Sequence, residues 1–369
     1  MTRVPAFLTT FLLFFLPFVI FPIGSSQFEV PKVILAQILI ELLVVVRVLQ
    51  HDAPKLLRTS MAGYLALFAI SLLGLIFFRT EVSFFGNTYR LQGIFLFWHL
   101  LLFSIFAAKD VLRHASAFLL LLFLIVQLGG DFVFGANDVG RSFGLLGEPN
   151  SLAAAAVFAF PILFIKKNKK KLTYLCLLLI VVVLVISGSR SGVMAFLVQC
   201  FFLVAAWRFP KRYGIVTLSA ILLIILTLFT PFLASNAHES RVEIWYAAML
   251  SFLHNPVIGG GFGNIDTLLH KESLMFASYI SERYVDSSHN IFLDILIQSG
   301  LVGMGAFLYL LGRSFITFFF QRDTVALCLL LGFITVLSFN PVSVWILLVF
   351  WYLLGQGILG NRISTHQHV

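Results

Sequence analysis

Charge is scarce in this 369-residue chain. Asp, Glu, Lys and Arg make up 11% of it, where a soluble domain has about 25%, so a water-facing surface on all sides is excluded. Cysteine is scarcer still. Cys176, Cys200 and Cys328 all lie inside apolar runs, which leaves no disulfide framework in an outside loop and no metal-type spacing. Small packed thiols are the expected role. No clear internal repeat exists. The glycine-rich stretch NPVIGGGFGNID, 255–266, lacks the surrounding strand–helix unit of a dinucleotide fingerprint.

What is present is apolar. Hydrophobic residues account for 60% of the chain, with 42 phenylalanines. The apolar runs recur at about the 20 residues that a bilayer requires. Spans are predicted near 6–23, 31–50, 61–78, 91–108, 114–130, 151–165, 172–187, 191–209, 214–233, 290–311, 324–339 and 342–359. The fold expected is all-α: a polytopic membrane helix bundle of about 12 transmembrane helices. Residues 1–369 are read as a single integral-membrane domain, with one large extracytoplasmic loop, 234–289, between helices 9 and 10. The first run ends in Pro22 and is long for a signal peptide, so an uncleaved anchor is favoured.

Twelve spans place both termini on one side. That side carries 17 of the 25 Lys and Arg residues, including the run KKNKKK at 166–171, and the other side carries 8. Positive residues stay in the cytoplasm, so both termini are assigned inside. The net charge of +9 is thus a topology signal, and nucleic acid is not an expected partner. The long outside loop holds Trp245, Tyr246, Phe252 and Phe262, which argues for folded structure. Its stretch IDTLLHKESLMFASYI suits a helix lying on the membrane surface.

Polar residues at a membrane edge need a reason. Arg190 sits in the tight turn SGSRSG, 187–192, and reads either as a headgroup anchor or as part of a site. Arg241 opens a helical segment in ESRVEIWYAAML. In SSHNIFLDILIQSGLVG, 287–303, Asn290, Asp294 and Gln298 recur every four residues and form one stripe, expected to face the bundle interior. His289 stands at the entrance of that helix, as an interfacial residue or a catalyst. Asp294 is off its face and a doubtful orienting partner. The glycines of 255–266 suit either a sharp re-entrant loop or backbone amides cradling phosphate. GEPNSLAAAA, 147–156, is read with Asn150 or Ser151 at a helix start and a small-residue face behind it. Mid-span Glu41 reads as hydrogen-bonded glue between helices in preference to a proton carrier.

The order of SGSRSG, RVEIW, NPVIGGGFGN and SSHN resembles the O-antigen ligase and polymerase family. The most specific element is His289-Asn290, nine residues, Gly300, two residues, Gly303. FEVPK, 28–32, and FGNTYRLQG, 85–93, also look like this family, and the motif-bearing core covers about 180–325. The resemblance implies an inner-membrane glycosyltransferase acting on the outer face. It would move a glycan from a polyprenyl (undecaprenyl) diphosphate carrier to an acceptor hydroxyl, with inversion and without metal or cofactor. By the same resemblance His289 is the general base and Arg190 and Arg241 bind the diphosphate, with Asn290, Asp294, Gly300 and Gly303 in support. No outside loop contains the D-x-D pair that holds metal in many such enzymes, so arginines would substitute. The acceptor stays open among a lipid A–core sugar, a lipid-linked repeat and a protein hydroxyl. The alternative reading is a transporter or flippase for lipid-linked oligosaccharides, which Glu41 alone favours.

Overall fold

The computed structural model describes residues 3–52, 54, 56–137, 140–165, 169–228, 241–273, 285–340 and 343–359. Part of the Lys run, part of the 234–289 loop and both termini lie outside these residues. Among the described residues the chain is helical, with an isolated bridge, Ala136 to Ser142, as its extended pairing. In chain order the helices are α1 (Arg3–Thr10), α2 (Glu29–Leu49), α3 (Arg58–Phe77), α4 (Ile94–Phe106), α5 (Val111–His114), α6 (Ala117–Phe134), α7 (Pro149–Ile162) and α8 (Lys170–Ser187). Then follow α9 (Arg190–Arg208), α10 (Tyr213–Leu228), α11 (Arg241–His254), α12 (Ile265–Ser273), α13 (Ile291–Phe320), α14 (Thr324–Leu337) and α15 (Val344–Leu359). Among the described residues six stretches are long and apolar enough to cross a membrane: α3, α6, α8, α9, α13, and Pro210–Thr227, which contains most of α10. The chain is a multi-pass membrane protein.

Local chemistry sets the helix starts. Ser116, Ser189, Asn290 and Asp323 each precede a helix and accept a hydrogen bond from a backbone N–H in its first turn. α7 starts at Pro149 after Glu148, one to two residues earlier than the sequence suggests, because proline suits the first helical position. Its residues Ser151 to Ile162 are all buried, and its alanines let α9 approach closely at Gly192. α15 is apolar all round and buried, as expected of a central helix. Trp345 on it donates to the Leu13 carbonyl at 2.9 Å, tying the segment that follows α1 to the last helix. On the periphery Leu65, Leu178, Leu218 and Leu222 are exposed, which suits contact with acyl chains. Cys176 and Cys328 are buried thiols and Cys200 is half-buried. Glu41 meets the His99 ring at 3.0 Å, so it bridges α2 to α4, in keeping with a role as glue.

The described part of the loop before α13 is built around two helices. Ile244, Ala247 and Ala248 of α11 and Leu269 of α12 pack on Ile297 of α13. α12 covers the first half of the stretch expected to lie on the membrane surface; its remainder, from 274, falls outside the described residues.

α13 runs to Phe320, nine residues past the expected end, but it is interrupted. Gly300 has φ 61° and ψ −164°, a combination essentially restricted to glycine. The glycine-rich loop fills the break. Gly260 and Gly261 donate to the carbonyls of Ile297 and Gln298 at 2.8 and 2.9 Å, while Leu301 and Val302 donate back to Pro256 and Val257 at 2.8 and 3.2 Å. Gly263 donates to Gln298 Oε1 at 2.8 Å. The phosphate-cradle alternative is therefore corrected. These amides are engaged within the protein, and the stretch is a re-entrant loop paired across the break. A Cβ on Gly300 would sit 2.4 Å from the Val257 carbonyl. Gly300→Ala is expected to cost at least about 2 kcal/mol, from backbone strain and the clash together. Thermal unfolding in detergent checks it; an unchanged midpoint would refute the pairing.

Candidate functional site

The SSHN turn is held from four directions. The Ser288 N–H donates to Asp294 Oδ1 at 2.7 Å, and the Ser288 carbonyl accepts from Trp245 Nε1 of α11 at 3.1 Å. The Ser288 hydroxyl donates to the Asn290 carbonyl at 2.9 Å, and the His289 N–H reaches Ser287 Oγ at 3.2 Å. Asn290 Oδ1 then caps α13 through Phe292 and Leu293. These bonds hold His289 at φ 55°, in the left-handed region that residues other than glycine seldom adopt. Asp294 does not hold the imidazole. It holds the peptide that precedes it. Asn290, Asp294 and Gln298 are all buried, so the polar stripe does face inward.

A second network lies at the start of α9. Arg141 donates through Nε to the Ser187 carbonyl at 2.8 Å and through Nη2 to Asn150 Oδ1 at 3.2 Å. Ser189 Oγ also donates to Asn150 Oδ1, at 2.8 Å, and Ser191 Oγ donates to Asn340 Oδ1 at 2.8 Å. Asn150 is thus a hub inside the first turn of α7. Beside Asn340, Phe339 meets the Trp245 ring with centroids 6.5 Å apart. The SGSRSG turn, the RVEIW helix and the SSHN turn therefore converge at the C-terminal end of α14.

Arg190 is the first residue of α9 and exposed, Arg241 is the first of α11 and half-buried, and His289 is half-buried. None of the three lines the cleft beside the SSHN turn. That cleft has an empty volume of about 860 Å³, its open mouth included, and is bordered by Asp286, Ser287 and Asp294 with Arg90 and Gln298. Gly303 lies one turn beyond the Gly300 break, where a Cβ would collide with the Ser299 side chain. No group of three His, Cys, Asp or Glu suited to a metal occurs among the described residues.

Arg90 is the residue that sequence reasoning missed. It is 6% exposed, pairs with Glu148 at 2.7 Å through Nη2, and forms a second ion pair with Asp286 through Nε. Burial opposes its charge, but Glu148, Asp286 and Glu29 outweigh that and push its pKa up. Burial also pushes the Glu148 carboxyl up, to about 7, against the pull of Arg90. Nearby, buried Lys32 donates to the Leu145 carbonyl at 2.7 Å, and Glu29 Oε2 accepts from the Val344 N–H at 3.1 Å. The signal was present: FEVPK supplies Glu29 and Lys32, and FGNTYRLQG supplies Arg90.

Comparison with known proteins bears on this geometry. Residues 175–308 match the family described as O-antigen ligase, a segment containing Arg190, Arg241 and His289-Asn290 through Gly303. The chain is also similar to a ComP-specific O-oligosaccharyltransferase of Acinetobacter baylyi, at 24% identity over 191 residues, which cover 46% of this chain. The match spans 34% of the relative's length.

Proposed function

We propose that this chain, whose residues 175–308 carry the O-antigen ligase match, is a membrane glycosyltransferase that takes a glycan from a polyprenyl diphosphate carrier. The acceptor is a hydroxyl, His289 removes its proton, and Arg190 and Arg241 bind the diphosphate. The observation that carries this reading is the convergence of three motif segments on one end of α14 through Ser191–Asn340, Trp245–Phe339 and Trp245–Ser288. In this reading the chain crosses the inner membrane twelve times, both termini are cytoplasmic, and residues 234–289 lie outside. The 17-to-8 division of Lys and Arg supports that orientation.

The chemistry follows from the groups. The acceptor oxygen attacks the anomeric carbon opposite the diphosphate, the sugar–oxygen bond to phosphate breaks, and the configuration inverts. The imidazole takes the hydroxyl proton, and the diphosphate leaves with the bonding electrons. Fixed guanidiniums stabilise charge growing on the leaving group without rearranging, and their planar forks grip two oxygens at once.

Arg190→Ala and Arg241→Ala are each expected to weaken binding of undecaprenyl diphosphate about tenfold or more, the worth of a lost charge-assisted hydrogen bond. Titration of the purified protein in nanodiscs measures this. Wild-type affinity in both variants would refute the diphosphate assignment.

A further inference from the structure

The cleft beside the SSHN turn has two chemical zones. Its loop-borne rim carries Asn87, Arg90, Asp266 and Asp286. Along α4 and α15 its lining is apolar, with Phe97 stacked on Phe262 at 4.1 Å and on edge to Trp351 at 5.8 Å. Asp294, 5% exposed, also borders it. Ser288 is its hydrogen-bond partner outside α13 among the described residues.

Charge decides which ligand is unsuited. Asp266 and Asp286 border the cleft on its loops against one arginine, and that guanidinium is already committed to Glu148 and Asp286. An anionic diphosphate meets net repulsion here. A prenyl chain is equally unsuited, because the apolar zone is made of interior residues (Phe97, Phe262 and Trp351 are at most 9% exposed) and not of the lipid-facing flank. What combines hydroxyl donors for carboxylates with an apolar C–H face for aromatic rings is a sugar.

We propose that this cleft is a saccharide subsite that takes an uncharged sugar ring and discriminates against acidic ones. The inference deepens the glycosyl-transfer reading and rests on it. The ring belongs either to the donor glycan or to the acceptor, since the cleft adjoins the turn that carries His289.

Binding to full-length protein in nanodiscs separates these sources. The probes are bare undecaprenyl diphosphate, the same carrier bearing a neutral tetrasaccharide, the carrier bearing a glucuronate-containing tetrasaccharide, and the free neutral tetrasaccharide added with bare carrier. A donor-side subsite gives the neutral glycan on its carrier about tenfold tighter binding than bare carrier. An acceptor-side subsite instead gives saturable binding of the free tetrasaccharide. Leu347→Trp, which fills the cleft, is expected to abolish whichever gain is seen and to leave bare-carrier affinity unchanged. Asp266→Asn, a milder variant, is expected to narrow the preference for neutral over glucuronate sugar several-fold. No sugar-dependent gain in either arm, or a gain that survives Leu347→Trp together with an unshifted preference in Asp266→Asn, would overturn the proposal. Failure of the arginine clamp is read separately, on bare carrier in Arg190→Ala and Arg241→Ala.

Discussion

His289→Ala is expected to lower glycan transfer by about 10²–10⁴-fold, the usual worth of a positioned general base. Binding of donor should stay within about twofold of wild type, because the imidazole acts on the acceptor proton. His289→Asn is the sharper variant. Asparagine tolerates the left-handed backbone that His289 occupies, so the turn is retained while the base is lost. Both are measured by incubating purified protein with labelled lipid-linked donor and several acceptors and quantifying product. Transfer within threefold of wild type by His289→Asn would remove the residue from the chemistry. Loss in His289→Ala alone would assign it to the shape of the turn.

Removing Arg90 should do the greatest damage to the fold. Arg90→Ala leaves Glu148 and Asp286 without their cation, and breaking a buried pair from one side costs about 3–5 kcal/mol. The cost is expected to depend on pH. The folded Glu148 carboxyl lies near 7, above its ordinary 4.5, because of burial. Its contribution to stability is therefore fully present below about pH 4.5 and is lost as pH rises through about 7. Arg90 opposes that shift, so without it the loss grows. The deficit of Arg90→Ala should be larger at pH 8 than at pH 5, and Arg90→Lys should be intermediate, keeping the charge without the two-way fork. Thermal unfolding in detergent at the two pH values tests this. A deficit independent of pH would contradict the pairing with Glu148.

Some elements were legible in order along the chain. Most apolar runs correspond to helices within a few residues, since bilayer-length hydrophobicity is a local property. The inward stripe of Asn290, Asp294 and Gln298 was readable from its four-residue spacing alone. The break at Gly300 was not. Its glycine was visible, but the partner that makes the break necessary is the 255–266 loop, which pairs across it through backbone groups that any sequence possesses. Asp294 illustrates the same limit. Its offset from His289 was read correctly, while its bond to the Ser288 peptide depends on how the turn folds back.

By itself, then, the amino-acid order determined a helical, membrane-embedded chain, most of its helix positions and the motif that resembles the O-antigen ligase family, because hydropathy, capping and spacing act over a few residues. Only the tertiary structure decided that Arg90 is locked between Glu148 and Asp286, partners 58 and 196 residues away, and that the motif turns meet at the end of α14. Ion pairs and cleft walls are made between segments, and a charge carries no mark along the chain of the partner that will neutralise it.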